Sequence, residues 1–178
     1  MKATGIVRRI DDLGRVVIPK EIRRTMRIRE GDPLEIYTAA DGEVIFKKYS
    51  PMGELEPYTR QYAEVLHRAT AMPAVICDRD RVIAATGRAK KELLGKRISS
   101  ALEALMEARA SFPGEGAAAA PRVSDESEET AAVMFPILGG GDVMGAVLLL
   151  QSDDAAPTDT EIKLMQVAAG FLGKQMEE

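Results

Sequence analysis

The residues best equipped for chemistry are arginines crowded at one end of the chain. Residues 1–29 hold nine Lys or Arg (Lys2, Arg8, Arg9, Arg15, Lys20, Arg23, Arg24, Arg27 and Arg29) against three acids (Asp11, Asp12 and Glu21), a net +6. The 178-residue chain carries −4 in all, so the rest of it carries −10. A guanidinium is always charged and presents a planar fork that fits a phosphate or the edge of a guanine. A basic head on an acidic body suits a chain in which one segment meets a polyanion and the rest stays off it. Arg23 and Arg24 are neighbours on a short helical stretch, about 100° apart, so both can face one groove or backbone. Arg8 and Arg9 point to opposite faces of a regular strand, and both reach one target only if that strand is short or at an edge. Arg8 therefore ranks above Arg9, while Arg27 and Arg29 read as solvated charge.

Other chemistries find no support. Cys77 is the only cysteine and His67 the only histidine. Together they cannot make a structural zinc site of the usual kind, and no intrachain disulfide can form, as in a reducing cytoplasm. Cys77 reads as a small apolar residue of a buried strand. A Ser-His-Asp arrangement would need His67, which falls in mid-helix. The glycines at 139–141 lack the Gly-Lys-Ser/Thr ending and following helix of a phosphate loop and read as a hairpin turn. The expectation is a protein that is not an enzyme, with no cofactor and no metal. No apolar run has the length of a signal peptide or a membrane span, so the expected location is the cytoplasm.

The elements that must position the arginines are short. Residues 3–10 and 15–18 read as strands around a turn over 11–14. Pro19 stands where a helix over 20–26 can begin, with Ile22 and Met26 on one side. A hairpin follows, 34–38 with 43–49 across Ala40-Asp41-Gly42. Four strands and one helix bury too little alone, and a symmetric dimer is the common remedy. Residues 1–50 thus form one domain, and 51–57, with prolines, a glycine and acids, a linker. Residues 58–178 read as an α+β domain: a helix from Tyr58 stopped by Pro73, a hairpin of 74–77 with 81–85, a helix over 88–94, and a helix opened by Ser100 with Glu103. A mobile loop over 111–130 is expected next, then strands 131–138 and 143–151. A last helix is opened by Thr158 with Glu161. In that helix Ile162, Met165, Ala169, Leu172 and Met176 make one apolar stripe, and Leu164, Ala168 and Phe171 a second. One would meet its own sheet, the other a partner's helix.

The stretch TGIVRRIDDLGRVVIPKEIRRTMRIREGDPLEIY resembles the DNA-binding domain of the AbrB family of transition-state regulators, over residues 3–49. The resemblance implies a mainly β swapped-hairpin barrel, an intertwined dimer, that contacts double-stranded DNA through Arg8, Arg15, Arg23 and Arg24. Arg9 stands where the family carries a basic residue, and Lys2 precedes the first strand. The junction SPMGELEPYTRQYAE and the domain order resemble AbrB-family regulators of spore development whose second domain is GAF-like. That implies an activator and repressor of late sporulation genes. Pairing through the helices near 58–72 and 160–176 would make it a tetramer. GAF-like modules often hold a small molecule beside the sheet, which points to Val75, Cys77, Val133 and Phe135 as pocket residues under a 111–130 lid. Two readings of that domain stay open, assembly alone or a ligand-responsive switch. The AbrB fold also serves antitoxins, so a protein-binding module is the alternative.

Overall fold

The computed structural model describes residues 4–113, 119–152 and 156–177. They divide into two compact units that meet in sequence between Tyr49 and Ser50.

In the first unit, helix α1 spans Lys20–Met26 and strands β1 (Leu34–Thr38) and β2 (Val44–Lys48) pair as an antiparallel hairpin. Pro19 opens α1, and Arg27 closes it in the left-handed conformation, its N–H turned to the carbonyls of Arg23 and Arg24. The Nζ of Lys48 donates to the carbonyl of Arg27 at 2.9 Å and lies 3.5 Å from the carboxylate of Asp32, so β2 is tied to the end of the helix. The strands expected over 3–10 and 15–18 are not formed in the described residues. A strand exists only when its N–H and C=O groups meet a neighbour's, and the one hairpin here satisfies itself. Pro19 is the only buried residue among 4–49. Val7 is 85% exposed, Val17 70% and Phe46 43%.

The second unit has the opposite character. The segment 51–57, expected as a linker, is helical: α2 (Pro51–Glu54) runs almost directly into α3 (Glu56–Thr70). The Oγ of Ser50 caps α2 by accepting from Gly53 N, and Met52 is wholly buried, which is why the proline and glycine do not leave this stretch loose. Strands β3 (Ala74–Asp78), β4 (Val82–Ala85), β5 (Ala131–Gly139) and β6 (Asp142–Leu150) form an antiparallel sheet in the order β4-β3-β6-β5. Gly140 and Gly141 both take positive φ, 58° and 88°, as the tight turn between β5 and β6 requires.

Helix α3 and the last helix, α6 (Asp159–Gln175), cover one face of the sheet, around Leu66, Ile76, Val147, Leu149, Met165 and Leu172. Helices α4 (Ala89–Leu93) and α5 (Ser100–Glu107) cover the other, around Val75, Leu93, Leu102, Met106 and Leu148. The expected Thr158–Glu161 capping box forms at α6. At α5 the cap is Ser99, one residue before the expected Ser100, with Oγ accepting from Leu102 N at 3.0 Å. A Cβ on Gly173 would collide with the carbonyl of Leu138, so the absence of a side chain lets α6 seat directly on β5. The described part of the expected mobile loop is held down: Val123 is buried, its carbonyl accepts from Ser99 N at 2.9 Å, and Arg122 bridges Thr130. Among the described residues no helix is long and apolar enough to cross a membrane.

Candidate nucleic-acid interface

The arginines expected to work together occupy three local settings in the first unit. Arg15 ends a turn built on one carboxylate. Oδ1 of Asp11 accepts from the backbone N–H of Leu13 (3.1 Å) and of Arg15 (2.7 Å), and Oδ2 accepts from Nε of Arg15 at 2.7 Å. Gly14, at φ +74°, lets the chain close this turn. These bonds, the backbone N–H of Arg15 first and its side chain second, hold the Asp11 carboxyl below the usual carboxylate range. Both side chains are exposed, and an exposed pair of this kind is held weakly. Arg15 can therefore exchange Asp11 for another anion at little cost.

Arg23 and Arg24 sit in the last turn of α1, where cations also complement the helix dipole. Both are exposed, as are Arg8 and Arg9 on the irregular stretch before the turn. Among the described residues these four guanidinium groups make no hydrogen bond or ion pair. Arg27 and Arg29 differ. They are half-buried at the seam between α1 and the hairpin, where the carbonyl of Arg27 accepts from Lys48 and the N–H of Arg29 donates to Asp32 at 2.9 Å. Sequence reasoning did not find the Asp32–Lys48 clasp, because its partners meet only when the hairpin folds back on the helix. Lys2 lies outside the described residues. Arg8, Arg9, Arg15, Arg23 and Arg24 therefore share one small unit and face solvent.

The four expected pocket residues do not come together. Val75 and Cys77 pair with Leu148 and Ala146 and face α4 and α5, whereas Val133 and Phe135 pair with Leu149 and Val147 and face α3 and α6. The sheet separates the two pairs, so they cannot line one cavity. An irregular register between Ala131 and Val133 sets the phase of β5, which alternation alone does not reveal. Cys77 is fully buried, and burial pushes its thiol up to about 12. His67 is occupied in closing α3, with Nδ1 donating to the carbonyl of Met72 at 2.8 Å. Among the described residues no group of three or more His, Cys, Asp or Glu is placed to hold a metal ion.

The outer faces of α3 and α6 carry a second exposed feature. Tyr58 and Val65 on α3 and Val167 and Phe171 on α6 stand in solvent, and Tyr62 stacks on Phe171 with ring centroids 5.6 Å apart. Of the second stripe expected on α6 only Phe171 stands in solvent: Ala168 lies in the core and Leu164 packs against it, while Val167 is exposed instead.

Residues 54–177 match the family described as stage V sporulation protein T C-terminal, transcription factor. Residues 7–53 match the family described as antidote-toxin recognition MazE, bacterial antitoxin. Stage V sporulation protein T of Bacillus subtilis (strain 168) is 51% identical over 179 aligned positions, which cover 100% of both chains. The transition state regulatory protein AbrB of the same organism is 63% identical over 51 residues, 29% of this chain and 52% of AbrB. The solution structure of the N-terminal DNA recognition domain of AbrB covers 29% of this chain and 94% of that domain, at 63% identity and a TM-score of 0.26. The GAF domain of the nutrient sensor CodY from Clostridium difficile covers 66% of this chain and 83% of that domain, at 14% identity and a TM-score of 0.47.

Proposed function

The chain belongs to the stage V sporulation protein T family, and on that premise we propose that two copies of residues 1–50 intertwine into a head whose arginines grip duplex DNA. The protein is a DNA-binding transcription regulator of sporulation with an AbrB-type N-terminal unit. The observation that carries the proposed mode of binding is the state of that unit. It has one buried residue among 4–49, exposed apolar side chains along both irregular stretches and the hairpin, and four guanidinium groups with no partner among the described residues. In the proposed dimer the apolar side chains are covered by the second copy, and the stretches around 3–10 and 15–18 gain the strand partners they lack in one chain.

Arg8, Arg15, Arg23 and Arg24 then contact the DNA, with Arg9 and Lys2 adding charge. Phosphate contacts set the position, and sequence preference comes from the few groove contacts and from the shape of the duplex. The same regulator activates some promoters and represses others according to where it sits, and it acts in the cytoplasm.

The body pairs through the exposed rows on α3 and α6 across a two-fold axis. Two different dimer contacts in one chain give a tetramer. An antitoxin role is not favoured: the bacterial antitoxin match stops at residue 53, whereas the sporulation relative matches the whole chain.

The test is Arg23→Ala in the full-length protein, with DNA affinity followed by fluorescence anisotropy and mass by light scattering. The expected result is weakened DNA binding, by about tenfold for a lost guanidinium contact, at unchanged mass. Unchanged affinity in both Arg23→Ala and Arg15→Ala would remove the proposal.

A further inference from the structure

The body, residues 50–178, carries thirteen Lys or Arg against twenty acids, a net −7. That charge is distributed as unevenly as the charge of the whole chain. Residues 79–97 hold seven cations (Arg79, Arg81, Arg88, Lys90, Lys91, Lys96 and Arg97) and two acids (Asp80 and Glu92), a net +5. The fold concentrates part of this further. The segment after α4 runs antiparallel beside the start of β4, with Val82 N donating to the carbonyl of Lys96 at 2.9 Å and Ile98 N to the carbonyl of Asp80 at 3.1 Å. This register places Arg81 directly opposite Arg97. Side chains facing each other across such a bridge are close neighbours on one face, and like charges there are destabilising unless an anion lies between them.

Among the described residues the pair is neutralised only weakly. Both arginines are exposed. Arg81 reaches the Asp78 carboxylate only at 4.0 Å, and that carboxylate is already engaged by the backbone N–H groups of Asp80 (2.7 Å) and Arg81 (2.8 Å) and by the Oγ of Ser50 (3.1 Å). Among the described residues Arg97 makes no ion pair. Lys96 turns away, donating to the carbonyl of Glu126 at 3.2 Å. Two exposed arginines set opposite each other by backbone bonds can present their guanidinium forks to a run of phosphates.

We propose that Arg81 and Arg97 form a second phosphate-contacting patch, on the body, that binds the backbone of duplex DNA flanking the site held by the head. The proposal rests on the head binding DNA. It adds that a longer duplex is held more tightly than a short one, by contacts without sequence preference.

The experiment compares full-length wild type, Arg81→Glu/Arg97→Glu, Arg81→Lys/Arg97→Lys, Arg23→Ala and Arg15→Ala on mixed-sequence duplexes of about 20 and about 60 base pairs over a range of salt. Wild type is expected to prefer the longer duplex. The double Glu variant should match wild type on the short duplex, lose about tenfold on the long one, and show a log-affinity slope against log salt shallower by about two on the long one. The double Lys variant should restore most of the loss. Matching melting temperatures establish that the folds are intact. Equal affinities of wild type and the double Glu variant on both lengths would overturn the patch, and so would an equal loss on both. Loss confined to binding of phosphatidylserine vesicles, with DNA binding intact, would overturn it in favour of a lipid headgroup. Arg23→Ala separates the two levels. If both it and Arg15→Ala bind both duplexes like wild type while the double Glu variant loses the long one, the arginine contacts proposed for the head fail and the patch stands.

Discussion

The two units of this chain solve opposite problems with similar apolar residues. The body buries its aliphatic side chains on both faces of one sheet, around Ile76 and Leu149 on one side and Val75 and Leu148 on the other. The head leaves Val7, Ile10, Leu13, Val17, Ile36 and Phe46 in solvent and buries Pro19 alone among residues 4–49. An alternating apolar pattern thus specifies a surface that wants covering, and whether one chain can cover it depends on how many elements the chain brings. A hairpin and a two-turn helix bring too few.

The comparison breaks most sharply at the exposed apolar side chains of the head. Val17→Asp or Phe46→Asp puts a charge where the second copy should pack, at a cost that does not arise in the isolated chain. DNA binding should be abolished, with a fall in mass by light scattering and an unchanged melting transition of the body. Retained DNA binding by either variant would mean that the head needs no partner. The body should break through its packing instead. Gly173→Val forces a side chain against the Leu138 carbonyl and should cost about 1–3 kcal/mol, read as a lower urea midpoint, with the mass unchanged.

A milder probe is Cys77. Its thiol, pushed up to about 12 by burial, holds almost no thiolate at pH 8, so a disulfide reagent should label it only as the body unfolds. Labelling in buffer at the rate of a free thiol would show that the core opens. The smallest effect belongs to the turn over 11–15. The folded Asp11 carboxyl is lowered, so its contribution is fully present above the unfolded value of about 3.9 and fades as the pH falls through the lower folded value. An NMR titration should show the signals of Leu13 and Arg15 steady from pH 7 to about 5 and moving only in stronger acid, a response absent in Asp11→Asn.

Much of this was legible in the sequence, for local reasons. Pro19 before a charged helix, Asp41-Gly42 in a hairpin, Gly140-Gly141 between two apolar strands and Thr158 with Glu161 each act over a few residues, and each sits where those few residues direct. Apart from the cap of α5, one residue off, the failures were longer-ranged. Residues 4–10 form no strand here because a strand needs a neighbour that the single chain does not supply. Met52 turned an expected linker into structure by reaching a core assembled from residues far away. Val133 and Phe135 lie behind the sheet from Val75 and Cys77, because a register irregularity near Ala131 shifts the phase of β5. The Arg81–Arg97 pairing was invisible for the same reason: each is an ordinary surface arginine until a register sets them opposite each other. Among the arginines, sequence read Arg27 and Arg29 as solvated charge although both are half-buried at the seam between α1 and the hairpin, and it could say nothing of Asp11, which holds Arg15 in its turn.

The Tyr62–Phe171 stack has a practical side. The chain has no tryptophan and four tyrosines, so its near-ultraviolet optical activity comes mostly from a handful of phenols. Of the two on α3, Tyr58 stands in solvent and Tyr62 is clamped against another ring. The circular dichroism of the tyrosine band is therefore a built-in, label-free gauge of whether the outer helices of the body keep their alignment, and dilution alone would show whether that alignment depends on a neighbour.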